Sequence, residues 1–164
     1  MANIRTHIVV HHSAVSHDKN PVQFEAINRF HQRQGWGKIG YHYLIEKDGT
    51  LVRGREEDEI GAHTKQKMMN YRSIGICLTG NFDIEEPTYE QCVTLLEIIE
   101  TLQKQYGIED KNIYPHRHYA SYKSCWGKLL PNDILGYLET RLSSPRVSQW
   151  ANKDIDNENG KGEL

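Results

Sequence analysis

The apolar positions of the chain fall into short runs with two distinct periods. Arg5 to His12 (RTHIVVHH) is rich in branched apolar residues and stops at Ser13, the pattern of a short buried strand. Asn20 followed by Pro21 predicts a helix start, and Pro21 to Gln34 places Phe24, Ile27 and Phe30 on one helical face before Gly35. Tyr41 to Arg55 reads as a hairpin, two β-prone runs around Lys47-Asp48-Gly49-Thr50, because Asp-Gly favours a tight turn. Residues 74–79 (IGICLT) predict a central strand. Thr88 with Gln91 three residues on is a capping box. The helix behind it carries Cys92, Leu95, Leu96, Ile99 and Leu102 and ends near Gly107. Residues 112–115 predict a brief strand, and Asn132 is placed to cap a last helix holding Ile134, Leu135, Leu138 and Leu142.

Strands interleaved with about three helices predict an α/β fold, a small central mixed β-sheet with helices packed on it, in one domain spanning residues 1–142. Residues 143–164 are polar, with Trp150 as the one apolar residue fit to dock, and read as a flexible C-terminal tail. A chain of 164 residues is long enough to bury a core without disulfides. Its formal charge of −2 argues against a nucleic-acid partner. No run of about 18 apolar residues is present, so no membrane insertion is expected. The N-terminus lacks the pattern of a signal peptide, and three cysteines (Cys77, Cys92, Cys125) fit a reduced, cytoplasmic protein.

Histidine changes the picture, at nine of 164 residues. Imidazole is the commonest protein metal ligand. In IVVHHSA, strand alternation puts His11 and His12 on opposite faces, so at most one serves a given site, and the pattern leaves either open. A satisfied core histidine beside a surface one is the plainer reading. In PHRHYASYKSCW, His116, His118 and Cys125 share one short loop. Thiolate and neutral imidazole suit zinc, yet a buried free cysteine beside surface histidines accounts for the same residues, and His116 with His118 could pair on an extended strand. If His11 joins His116 and Cys125, the three donors match the count of a catalytic zinc site that keeps one position open. Such a site hydrolyses amides or esters when a donor meets the developing oxyanion. Lys123 and Tyr41 are the candidates by type.

Five segments occur in order: IVVHHSA, IGYHYLIEKDGTLVRGR, IGAHT, SIGICLTGNF and HRHYASYKSC. Together, from about residue 5 to 140, they resemble the zinc-dependent N-acetylmuramoyl-L-alanine amidases of the type-2 family, which are related to the peptidoglycan recognition proteins. The resemblance implies one zinc ion held by His11, His116 and Cys125, with Tyr41 and Lys123 assisting catalysis. It places His63 in the substrate groove, with Asn70 and Arg72 bordering it. The implied reaction cleaves the amide between N-acetylmuramic acid and the L-alanine of the peptidoglycan stem peptide, and the implied setting is a phage or prophage endolysin acting as a monomer. The alternatives are a recognition module that binds peptidoglycan without cutting it, a zinc endopeptidase acting within the stem peptide, and a cytoplasmic amidase of wall recycling. Some phage relatives also bind an RNA polymerase, so a regulatory protein partner of that kind is a further implied call. The chain departs from its relatives at His118, where they often carry aspartate, and lacks their proline before the lysine; Lys128, beyond the cysteine, is the poorer lysine candidate.

Overall fold

The computed structural model describes residues 4–143. The tail from 144 onward, with Trp150, lies outside the described residues. Five strands, β1 (His7–His12), β2 (Tyr43–Ile45), β3 (Leu51–Arg53), β4 (Ser73–Leu78) and β5 (Ile113–Pro115), form one mixed sheet in the order β3-β2-β4-β1-β5. β4 is central, as its uninterrupted apolar run predicts. It runs parallel to both β1 and β2, β5 runs parallel to β1, and the β2–β3 hairpin is antiparallel. Gly49 takes a φ of +87° in the hairpin turn, which the Asp48-Gly49 pair anticipates.

Strand alternation divides the sheet into two unlike faces. Ile8 and Val10 of β1, Tyr43 and Ile45 of β2, and Ile74, Ile76 and Leu78 of β4 join one core cluster. That cluster is covered by α3 (Tyr89–Tyr106) through Cys92, Leu95, Ile98, Ile99 and Leu102, and by α4 (Ile134–Leu142) through Ile134 and Leu138. Each of these residues is 8% exposed or less, and burial of this kind stabilises by roughly 1.5–3 kcal/mol per large apolar side chain. The opposite face carries Val9, His11, Gly75 and Cys77, and it is the face that meets the functional loops. The capping box forms as predicted, Thr88 Oγ1 accepting from Gln91 N–H at 3.1 Å, and Gly107 closes α3 at a φ of +68°.

Two helix starts differ from the sequence expectation. α1 (Phe24–Arg33) begins three residues beyond Pro21, because Glu46 at the end of β2 accepts from the N–H groups of Gln23 and Phe24 at 2.8–3.0 Å. This tertiary cap satisfies donors that Asn20 would have served locally. Nor does the expected apolar face of α1 bury cleanly: Phe30 is 50% exposed, and the buried residue of the helix is His31. α4 is capped by Asp133, whose side chain accepts from Gly136 N–H at 3.0 Å, while Asn132 is engaged by Arg117. A short α2 (Met69–Arg72), unforeseen in the sequence, leads into β4 after two left-handed residues, Lys67 and Met68. No described helix is long and apolar enough to cross a membrane.

Candidate metal centre and active-site cleft

His11 and His12 end β1 and point to opposite faces. His12 turns into the core side, where its Nδ1 accepts from Phe82 N–H at 3.0 Å and its ring packs 5.8 Å from Phe82. His11 turns into a cleft of about 490 Å³ that is also lined by His31, Trp36, Tyr41, His63, His116, Tyr122, Lys123 and Cys125. A single-residue slip of β1 would exchange the two histidines, so the register His11↔Cys77 decides which one reaches the cleft.

One nitrogen each from His11 and His116 and the sulfur of Cys125 lie within 4.8 Å of one another. The sulfur is 3.7 Å from His11 Nδ1 and accepts from His12 N–H at 3.3 Å. Burial, reinforced by neighbouring His63 and His116, holds the His11 imidazolium well below its ordinary pKa. Burial and then Lys123 bring His116 down to about 4. Both rings are therefore neutral at pH 7, the state that ligation requires. Burial raises the Cys125 thiol to about 12, although His12 N–H, Lys123 and Arg117 favour its anion. Two neutral imidazoles and one thiol, their donor atoms within 4.8 Å of one another, fit a soft or borderline divalent metal such as zinc. His118 takes no part: residues 116–118 form a 3₁₀ turn rather than an extended pair, and the His118 ring stacks on Tyr114 at 3.8 Å.

Cys125 is carried on an irregular loop, and charged side chains fix that loop in place. Arg117 N–H donates to Cys125 O at 2.7 Å, and its guanidinium donates to Gly127 O at 2.6 Å, to Leu130 O, and to Asn132 Oδ1 at 2.6 Å. Asp83 accepts from Ser124 Oγ at 3.0 Å and from Lys128 N–H at 2.8 Å. Trp126 anchors the same loop in the core, fully buried, with its indole N–H on Pro131 O at 2.9 Å. Sequence reasoning missed Arg117 and Asp83. The Arg directly after His116 was the available signal, since a planar five-donor group can bind several carbonyls at once.

Around the donors, Tyr41 stands 5.0 Å from His11, centroid to centroid, and 5.5 Å from His31. Burial, with Cys77 and Cys125 beside it, pushes the Tyr41 phenol well above its ordinary pKa. Lys123 is exposed at the rim and lines the same cleft. His63 lines it too, with its Nδ1 2.9 Å from His11 Nε2. Asn70 borders an adjoining cavity with Gln66, Tyr122 and Lys123, and its Oδ1 accepts from the N–H groups of His63 and Thr64 at 2.7 and 2.8 Å. Arg72 lies apart from the cleft lining. It is exposed, at the end of α2, next to the start of β4 that pairs with His7 rather than with His11.

A mixed sheet that brings a His–His–Cys donor set, a tyrosine and a lysine into one cleft at the ends of its parallel strands has the architecture of the amidase and peptidoglycan-recognition fold. The N-acetylmuramoyl-L-alanine amidase family (Amidase_2) matches residues 2–128, and the chain belongs to that family. It is 36% identical over 123 residues to the endolysin of Escherichia phage T7, covering 72% of this chain and 78% of that protein. It is 29% identical over 140 residues to peptidoglycan-recognition protein SC2 of Drosophila melanogaster, covering 82% and 74%. Among solved structures, the N-acetylmuramoyl-L-alanine amidase LysC from Clostridium intestinale superposes with a TM-score of 0.71 at 31% identity, over 85% of each chain.

Proposed function

We propose that the cleft holds one zinc ion through His11, His116 and Cys125, and that the chain hydrolyses the amide joining N-acetylmuramic acid to the L-alanine of the stem peptide. The observation that carries this reading is the convergence of those three donors within 4.8 Å, with Tyr41 and Lys123 lining the same cleft. Zinc bound there supplies Lewis acidity toward a carbonyl and lowers the pKa of water toward neutrality. His11 and His116, kept neutral by burial, are ready to ligate without first losing a proton. Tyr41 keeps its phenolic proton at neutral pH, so it acts as a hydrogen-bond donor that orients water or the substrate carbonyl, not as a base. Lys123 brings a positive charge from the rim to the place where the tetrahedral oxyanion develops, a contribution of roughly 3–4 kcal/mol for one well-placed donor. His63 and Asn70 border the path along which the peptidoglycan strand would lie, and Arg72 is outside the cleft lining.

The biological setting that fits best is lysis of a bacterial wall by a phage. The curated relatives that match include the endolysins of phages T3, T7 and K11, with most of each protein covered. Mass spectrometry of a soluble muramyl-peptide incubated with zinc-loaded protein tests the reading. Release of the whole stem peptide with a free L-alanine amine is the expected result. Cleavage within the stem would make the chain a zinc endopeptidase, and an intact substrate that nevertheless binds would make it a recognition module.

A further inference from the structure

His63 occupies a slot cut from two glycines on separate segments. A Cβ on Gly61 would stand 2.5 Å from His63 Cδ2, and one on Gly75 would stand 2.5 Å from Cδ2 and 2.6 Å from Cγ. Gly75 lies in the middle of the buried central strand, where glycine packs nothing and is otherwise a poor choice. Its absent side chain is what allows the imidazole to lie against the β4 backbone. His42 closes the slot, 5.8 Å from His63 and nearly perpendicular to it. The two N–H bonds to Asn70 Oδ1 fix the backbone that carries the ring. So many constraints are more than a groove-lining residue needs.

The proton positions follow from the fixed end of the chain of contacts. Ser73 Oγ donates to Met69 O at 2.6 Å, which leaves its oxygen to accept. His63 Nε2, 3.4 Å away, is then the protonated nitrogen, and His63 Nδ1 has a free lone pair. That lone pair faces His11 Nε2 at 2.9 Å, with Thr64 Oγ1 alongside at 3.1 Å from His63 Nδ1. His11 must therefore carry its proton on Nε2. Its Nδ1 is left bare, 3.7 Å from Cys125 Sγ.

We propose that His63 is a positioning residue for the metal centre: its Nδ1 accepts the Nε2–H of His11 and fixes the tautomer and ring orientation that turn His11 Nδ1 toward the metal. The inference rests on the zinc reading above for its consequence but not for its geometry. An outer partner of this kind orients a ligating imidazole and typically sustains roughly a 10–100-fold share of metal affinity. The series Ser73, His63, His11 thus links the start of β4 to the end of β1 by side chains alone.

The test is zinc affinity, measured by competition with a chromophoric chelator on the full chain, for wild type, His63→Leu and His63→Asn. Leucine fills the slot without an acceptor and should weaken zinc roughly 10–100-fold. Asparagine places an amide oxygen near the position of Nδ1 and should recover most of that loss. Gly75→Ala, which crowds the ring without touching the donors, should shift affinity in the same direction as leucine. An unchanged zinc constant in a folded His63→Leu chain overturns the proposal. A second measurement decides it on the wild-type, metal-free protein: the ¹⁵N spectrum of His11 should show the proton on Nε2, and a proton on Nδ1 overturns it. If the wild-type chain binds no zinc, the metal reading falls while the nitrogen spectrum still decides the tautomer.

Discussion

The two halves of the proposed metal centre are built by different physics. His11 sits on β1, in register with β4, and its position follows from backbone ladders and strand alternation. Cys125 sits on a loop with no ladder at all, held by the guanidinium of Arg117, the carboxylate of Asp83 and the buried indole of Trp126. A strand-borne ligand is as stiff as the sheet. A loop-borne ligand is as stiff as the side chains that fasten it, and each fastening can be removed singly. The strand half has the ring of His63 as well, 2.9 Å from His11 Nε2, in addition to its backbone ladder.

The largest effect expected is from Cys125→Ala, which removes a donor outright. Zinc content after exhaustive dialysis and muramyl-peptide hydrolysis should both fall, well beyond the roughly 100-fold attached to an outer partner. Full zinc occupancy in that variant would dismantle the ligand set. Lys123→Ala separates chemistry from metal binding: zinc stays, while kcat drops about 100–1,000-fold as an oxyanion donor is lost. Wild-type turnover there would move the role to another residue. Arg117→Lys tests the fastening itself. Lysine reaches one carbonyl where arginine reaches several, so unfolding free energy should fall by roughly 2–3 kcal/mol, with zinc affinity falling alongside. If Arg117→Lys lowers stability in chemical denaturation yet leaves zinc affinity untouched, the loop half is more rigid than its fastenings imply.

The smallest effect concerns His42, beneath His63 on the strand side. Burial lowers its pKa to about 4, its Nε2–H donating to Glu59 O and its Nδ1 accepting from Gly75 N–H. The unfolded chain takes up this proton below about pH 6.5 and the folded chain only near 4, so stability falls as pH drops through that window. Between pH 6.5 and 5.5 the loss from this one group is about 1 kcal/mol. Other buried histidines slope the same way, so the readout is the difference in pH slope between wild type and His42→Gln in urea titrations. Equal slopes would mean that His42 titrates alike in both states.

What was legible in the sequence divides along the same line. β1, the Asp48-Gly49 turn, the central β4 and the Thr88–Gln91 capping box are local patterns, and each forms where the residues place it. The start of α1 was not legible, because the group that caps it, Glu46, lies just past β2, more than twenty residues on. The cap of α4 shifted from Asn132 to Asp133 because Arg117 takes the asparagine. Periodicity could name His11 and His12 as candidates but not choose between them, since the choice depends on which sheet face the helices α3 and α4 cover. The placement of Arg117, Asp83 and the Gly61–Gly75 slot is equally invisible to any short window, because each acts on a segment distant in the chain.

The margins of the sheet have a separate bearing on how the protein behaves when concentrated. Its two outermost strands, β3 and β5, are three residues each, and β5 ends in Pro115, which has no N–H to offer. An incoming extended segment would find too short a template on either side to zip onto. The fold thus carries its own protection against edge-to-edge aggregation, written into two brief strands and one proline.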